Sequence, residues 1–331
     1  MTTQPATVKT SVRPSINFSN FILEGILLLL FVILSFTAPG FFTWPNFFNI
    51  LRNASTNGII AFGMTFVIIA GEIDLSVGNA TAFFGCLAAV LIRDLVAAHY
   101  PVVGVVIFAV AVCFGVGILA GVFMGWVRSR FSVPTFISAL ALMFAYRGGA
   151  HLLTDSFPVI SFPDWFSFFG SGYIFSVIPF QSVVFLLIFG IMWFVSKYTT
   201  FGRAVYAVGG NAESARLSGI NVTKMRMSIM ALTGLFSAVS GLIIAAQIQS
   251  GNPTVGSGDE LNVIAACIVG GVSLMGGKGR MWSTFVGVLF LRVILNGMTL
   301  LNINEYWQYV AKAVLILGAV LIYQSQESKK N

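Results

Sequence analysis

Charge is what this 331-residue sequence has least of. Asp, Glu, Lys and Arg make up 9% of it, where a soluble domain carries about 25%. A water-facing surface cannot be built from so few, and with 57% apolar residues the solvent must be mostly lipid. Histidine is nearly absent: there are only His99 and His151, both near predicted outer ends. That leaves no credible constellation for an intramembrane enzyme. The three cysteines, Cys86, Cys113 and Cys267, sit inside apolar runs and have neither disulfide nor metal-ligand spacing. They read as small buried hydrophobes. Period-2 alternation is also missing, which excludes a membrane β-barrel.

Long apolar runs are present instead. A helix needs about 20 apolar residues to cross a hydrocarbon core about 30 Å thick. That ruler gives ten spans, at about 21–38, 54–71, 76–97, 102–126, 134–153, 176–196, 226–247, 261–275, 282–301 and 307–323. The fold class expected is therefore an all-α integral membrane protein of about ten helices. A tail over 1–20 precedes one transmembrane unit over 21–323, which contains a polar loop at about 197–226, and a second tail covers 324–331. The first run exceeds the usual signal-peptide core of about 7–15 residues, so it is read as an uncleaved first helix.

The net charge of +7 does not indicate nucleic acid, because the basic residues lie in short loops between spans. With the N-terminus inside, the inner segments hold Lys9, Arg13, Arg128, Arg130, Lys197, Arg203, Arg216, Lys224, Arg226, Lys278, Arg280, Lys329 and Lys330. The outer segments hold only Arg52 and Arg93; Arg147, Arg292 and Lys312 fall within spans. This asymmetry follows the positive-inside rule and places both termini in the cytoplasm. The longest outer loop, 154–175, is aromatic with Pro and Gly breaks and suits either a partner or the headgroup level.

Several polar residues interrupt the spans. Gly71-Glu-Ile-Asp-Leu-Ser-Val-Gly78 places two carboxylates between apolar runs, where an ionised carboxylate costs about 2.5–3.5 kcal/mol at the bilayer centre. Asp74 can cap the third span with Ser76 in its first turn, or the pair can line a path or gate. Asn57, Thr65, Asn79, Asn262, Asn296 and Thr299 can face the interior, where such groups bond between helices or touch solute. Candidate path or gate residues are Asn57, Thr65, Asp74, Ser76, Asn79 and Asn296. Arg147 stands about 20 Å up the fifth span, and it is expected to snorkel outward or pair with Asp155. Gly270-Gly-Val-Ser-Leu-Met-Gly-Gly277 echoes the 71–78 stretch, a weak sign of an internal repeat. Gly276-Gly-Lys-Gly-Arg280 fails as a phosphate loop, since Val272 and Gly279 stand where Gly and Ser or Thr are required; it reads as a tight turn.

The remaining anomaly is Val208-Gly-Gly-Asn-Ala-Glu-Ser-Ala-Arg-Leu-Ser-Gly-Ile-Asn-Val222, a polar unit between two spans. Asn211 is a good N-cap, Glu213 and Arg216 suit opposite ends of a helix dipole, and Gly219 can end the helix in the left-handed region. Asn221 or Thr223 then caps the next span. A helix of about two turns is marginal alone, so it packs either on its own chain or on a cytosolic partner.

Glu213-Ser-Ala-Arg-Leu-Ser-Gly219 resembles the EAA loop of ABC-importer membrane subunits, with Ser214 replacing the middle Ala. Gly202-Arg203, the 208–222 unit, the 71–78 stretch and Gly270 to Arg280 together look like the ribose-type branch of that family, a likeness covering about residues 40–323. It implies a permease subunit for a monosaccharide or related polyol in a bacterial cytoplasmic (inner) membrane. The implied partners are separate ABC ATPase subunits, an extracytoplasmic sugar-binding protein and a second permease chain, identical or homologous. ATP would be used by the ATPase subunits, with no cofactor bound by this chain and no catalysis in it. Asn211, Ala212, Glu213, Ser214, Ala215, Arg216, Leu217 and Gly219 would form the ATPase-coupling element, with Ala212, Ala215 and Leu217 as its packing surface and Glu213 and Arg216 as its polar contacts. The rival reading is a stand-alone secondary transporter or facilitator, for which Glu72 and Asp74 are the candidate coupling carboxylates.

Overall fold

The structure, a computed structural model, describes residues 22–328. The tail 1–20 with Lys9 and Arg13, together with Lys329 and Lys330, lies outside them. Among the described residues the chain forms α1 (Ile22–Thr37), α2 (Trp44–Ile69), α3 (Val77–Ala97), α4 (Val102–Phe131) and α5 (Thr135–Thr154). It continues through α6 (Phe168–Ser171), α7 (Phe180–Tyr198), α8 (Thr200–Gly210), α9 (Ala212–Leu217) and α10 (Val222–Ile248). The last three helices are α11 (Asp259–Val269), α12 (Met281–Leu300) and α13 (Glu305–Ser328). Six of these, α3, α4, α5, α7, α10 and α12, are long and apolar enough to cross a membrane. This is an all-α membrane protein.

α2 is the central post. Every residue from Asn57 to Ile69 is buried, as befits a helix apolar on all sides, and it packs on α7, α10, α11 and α12. Its N-terminal part starts ten residues before the run expected from hydropathy, capped by Thr43 with Pro at the first turn. The broadest interface joins α4 to α10. There Gly117, Gly121 and Gly125 lie against the backbone of Gly234, Met230 and Met227, so small residues let the two helices touch, as in membrane bundles. α13 continues to Ser328, so part of the expected C-terminal tail is helical.

One expected span is shorter than expected, and another keeps its expected bounds but starts deep in the bundle. The span at 261–275 is a helix of only 11 residues, about 16 Å long, which is half a crossing. Gly258 at φ +86° precedes it and Gly271 at φ +82° comes after it, and both leave helical geometry. α11 runs alongside α2 in the same direction, since Asn57 meets Asp259 and Thr65 meets Cys267. α3 keeps the bounds expected at 76–97 but begins deep in the bundle. Ser240 of α10 bonds the Thr56 carbonyl, and the next residue, Gly241, lies against the Thr81 backbone of α3. Thr81 is thus level with Thr56, so α3 starts about 14 Å back along α2 from its C-terminal end. The extended segment 70–76 climbs that distance. Loop 249–258 descends α3 from the other side, with Gly251 against Ala89 and Gly256 against Gly78.

The aromatic loop folds into a short 3-10 turn (Asp164–Ser167), α6 and a hairpin of β1 (Tyr173–Ile174) and β2 (Ile178–Pro179). Phe162 and Phe166 stack and enter the core beside α3, α4 and α10. Phe175, at the hairpin tip, points outward and is 90% exposed.

Candidate functional site

Three regions can carry function: the polar unit at α8 and α9, the break between α2 and α3, and the half-helix starts inside the bundle. Asn211 Oδ1 accepts from the Ser214 N–H at 2.9 Å and caps α9. The chain leaves α9 through Gly219 at φ +86°, with the Gly219 N–H donating to Arg216 and the Ile220 N–H to Ala215. Asn221 then caps α10 on the Lys224 N–H. The helix, its caps and its glycine stop all lie where the sequence places them.

The faces of α9 separate two roles. Ala215 is 4% exposed, turned into its own chain, so it seats the helix; the expectation that it belongs to a partner-facing surface is corrected. Leu217 is 75% exposed, and Glu213, Ser214 and Arg216 are exposed beside it, with Ala212 half-buried. Arg216 forks onto both oxygens of Glu213. The guanidinium's hydrogen bond holds the Glu213 carboxyl below its ordinary value. Both groups are largely in solvent, so the pair adds little to stability. The outer face of α9 therefore presents one large apolar side chain ringed by charge.

α8 sits against the ends of two other elements. A Cβ on Gly209 would run into the Ile69 carbonyl at the end of α2. That carbonyl accepts from the Gly277 N–H at 2.7 Å, and a Cβ on Gly277 would press on Gly210. The 276–280 turn is confirmed as a tight turn, closed by Ser273 N–H to the Lys278 carbonyl. Three backbones thus meet at van der Waals contact just above α9.

Beside this junction Glu72 is 4% exposed and carries the charge of the break. Arg128 of α4 donates from Nε to both its oxygens, at 2.9 and 3.1 Å. Thr135 at the start of α5 donates to Oε2 at 2.7 Å. Arg226, in the first turns of α10, stands 2.9 Å from Oε1 as an ion pair, though its Nε–H misses the hydrogen-bond line. One carboxylate therefore ties the α2–α3 break to three helices, one of which leads directly from α9. Hydropathy and charge placed Arg128 and Arg226 at the same end, but nothing in their spacing from Glu72 revealed the pairing.

Deeper in, Asp74 Oδ1 accepts from the Ser76 N–H and hydroxyl at 2.8 and 2.7 Å. Asp74 is not itself the cap of α3, as the sequence suggested; it braces Ser76, which is. Asn79 lies in the first turn, buried. A Cβ on Gly78 would run into the Glu260 carboxylate and the Gly256 carbonyl, so α3 and α11 begin side by side. Asn57 reaches this layer through Asp259 Oδ1 at 3.0 Å. Asp74, Ser76, Asn79 and Asn57 are thereby gathered at the half-helix starts. Thr65 and Asn296 are not. Thr65 is fully buried and bonds Ala61 and Thr284; Asn296 exchanges amide bonds with Asn46. Both hold helices together. Arg147 is exposed and, among the described residues, makes no ion pair with Asp155; its Nη1 donates to Ser257 Oγ at 3.1 Å, pinning the descending loop.

Comparison with known proteins fits this geometry. Residues 46–320 match the family described as branched-chain amino acid transport system / permease component. The chain belongs to this family. The ribose import permease protein of Haemophilus influenzae is 39% identical over 92% of this chain and 93% of its own. That of Escherichia coli K12 is 40% identical over 89% and 91%. The xylose transport system permease protein of E. coli K12 is 30% identical over 96% of both. No solved structure matches the chain. The permease match covers α2 to most of α13, so all three regions lie inside it.

Proposed function

We propose that this permease is the membrane-spanning subunit of an ATP-driven importer and forms the path for a monosaccharide of the pentose kind. An extracytoplasmic binding protein would deliver the sugar, separate ABC ATPase subunits would use the ATP, and a second permease chain would complete the path. The end-to-end identity with ribose import permeases carries this reading. In it the chain crosses a bacterial cytoplasmic membrane ten times with both termini inside. Two crossings are part extended chain, at 70–76 with α3 and at 249–258 with α11. Discontinuous helices that start at mid-membrane are a common way to expose backbone and side-chain polar groups to a solute, and Asn57, Asp74, Ser76 and Asn79 are the groups placed to do so.

α9 is the element that docks the ATPase, through Leu217, Glu213 and Arg216. Its motion passes along α10 to Arg226 and so to Glu72, and through α8 to Ile69 and Gly277. Both routes end on the segments that lead to the half-helix starts. This gives the ATPase a mechanical hold on the gate without any nucleotide site in the permease.

Reconstitution tests the reading. Proteoliposomes holding the permease with its ATPase, supplied with binding protein, should take up labelled ribose or xylose only when ATP is present. Uptake by the permease alone, driven by a proton or sodium gradient, would instead establish a secondary transporter.

A further inference from the structure

Arg147 of α5 and Glu260 of α11 carry opposite charges inside the bundle, yet among the described residues no ion pair joins them. The neighbours of Arg147 fix its depth. The Tyr146 ring packs on Phe83 and Phe84 at 5.1 and 5.6 Å, and Gly149 lies against Phe83. Arg147 is therefore level with a point about two turns into α3, within the layer of the half-helix starts. It is nonetheless exposed, because α5 packs mainly on α3 and α4 and leaves its other side open. A guanidinium at that depth faces water or protein rather than hydrocarbon. The open side of α5 thus borders a wet cleft.

The start of α11 forms the opposite wall. Arg147 Nη1 donates to Ser257 Oγ, and Ser257 is exposed, so the descending loop borders the same cleft. Three residues on, Glu260 is half-buried, and its Oε2 is covered and accepts no hydrogen bond. That oxygen packs on Gly78 at the start of α3, within reach of the Arg147 charge. Asp259 beside it is already occupied, accepting from Asn57 and Asn262. A covered carboxylate oxygen without a donor is costly, so Glu260 calls for a donor that the chain does not supply. Arg147 has N–H groups to spare beyond the one given to Ser257. An anionic ligand would be repelled by Glu260 and a cationic one by Arg147. A neutral molecule with neighbouring hydroxyls, each both donor and acceptor, suits the two together.

We propose that Arg147 and Glu260 form a hydroxyl-binding site for the sugar at the level of the half-helix starts. The guanidinium donates to one sugar oxygen. The Glu260 carboxylate accepts from a neighbouring hydroxyl once movement of the α2–α3 break shifts Gly78 aside. The assignment rests on the import reading and adds to it the two charged residues that handle the sugar.

The test has two arms. In nanodiscs, Ser257→Cys should react with a membrane-impermeant charged thiol reagent, over a low background because Cys86, Cys113 and Cys267 are buried. No reaction would mean no wet cleft and would overturn the proposal. In proteoliposomes with the ATPase and binding protein, Glu260→Gln and Arg147→Gln should each lower ATP-driven uptake of labelled ribose about tenfold or more. ATP hydrolysis should persist, and each variant should melt within about 2 °C of wild type. Undiminished uptake in either variant would overturn the proposal. So would a variant that loses uptake and melting temperature together or fails to fold, as a structural bond or trapped water gives. Absence of ATP-driven uptake by the wild-type complex would overturn the import reading itself, and this assignment with it.

Discussion

The breaks after α2 and after α11 are the same backbone device, fixed in two different ways. The N–H groups of Ala70, Gly71 and Glu72 donate to Phe66, Ile68 and Val67; those of Gly270, Gly271 and Val272 donate to Ala266, Ile268 and Cys267. Gly71 and Gly271 occupy the left-handed region, at φ +77° and +82°. Two residues on, the patterns still agree with one residue's slip: Asp74 Oδ1 takes the Ser76 N–H and Ser273 Oγ takes the Met275 N–H. From there the two chains part. The first break buries a carboxylate, is held by arginines from α4 and α10, and climbs into the layer. The second folds into glycine turns that press directly on Ile69 and Gly210. Side-chain charge can be released by moving a helix; backbone in van der Waals contact cannot. On the proposed function, the first break would serve as the gate and the second as its seat.

Damage to the seat should have the largest effect. Gly209→Val forces side-chain atoms into the Ile69 carbonyl, beyond the overpacking cost of about 1–3 kcal/mol that a core absorbs. Little or no monodisperse protein should survive detergent extraction. Damage to the charged break should come next: Glu72→Gln leaves Arg128 and Arg226 without a counter-ion and should cost about 3 kcal/mol, read as a lower melting temperature. Gly71→Ala and Gly271→Ala test the likeness itself. A Cβ has open space at both sites, so each should cost about 1 kcal/mol from the left-handed backbone alone, and the two should agree within a few tenths. Unequal losses would show that the breaks are not equivalent. Smallest is Glu213→Gln on the surface of α9. Because Arg216 depresses the Glu213 carboxyl, the wild-type pair is intact above the ordinary value of 4.5 and is lost only as pH falls below it. At neutral pH the variant should melt like wild type and show its effect only in sugar uptake.

Much of this was legible in the sequence because it is local. Asn211, Gly219 and Asn221 announce a helix start, stop and restart through the backbone groups each can satisfy. The all-α membrane class comes from run length and scarcity of charge. What was not legible depends on residues far apart. Hydropathy scores 261–275 as one span because glycine counts as neither polar nor apolar enough to end it, yet Gly258 and Gly271 leave only half a helix. Glu72 and Arg226 lie 154 positions apart in the sequence, and only the packing of α4 and α10 brings the arginines to one carboxylate. Ala215 and Leu217 looked alike as packing residues; burial alone assigns one inward and the other outward.

That outward face is where the coupling role can be tested most directly. Leu217→Asp alters a side chain with three quarters of its surface in solvent, so the permease should extract and melt as wild type does. Co-expressed with its ABC ATPase and purified on the permease, the variant should retain about tenfold less ATPase, as expected for loss of an apolar anchor at an interface centre. Undiminished ATPase on the Leu217→Asp permease would contradict the claim that α9 is the element the ATPase grips.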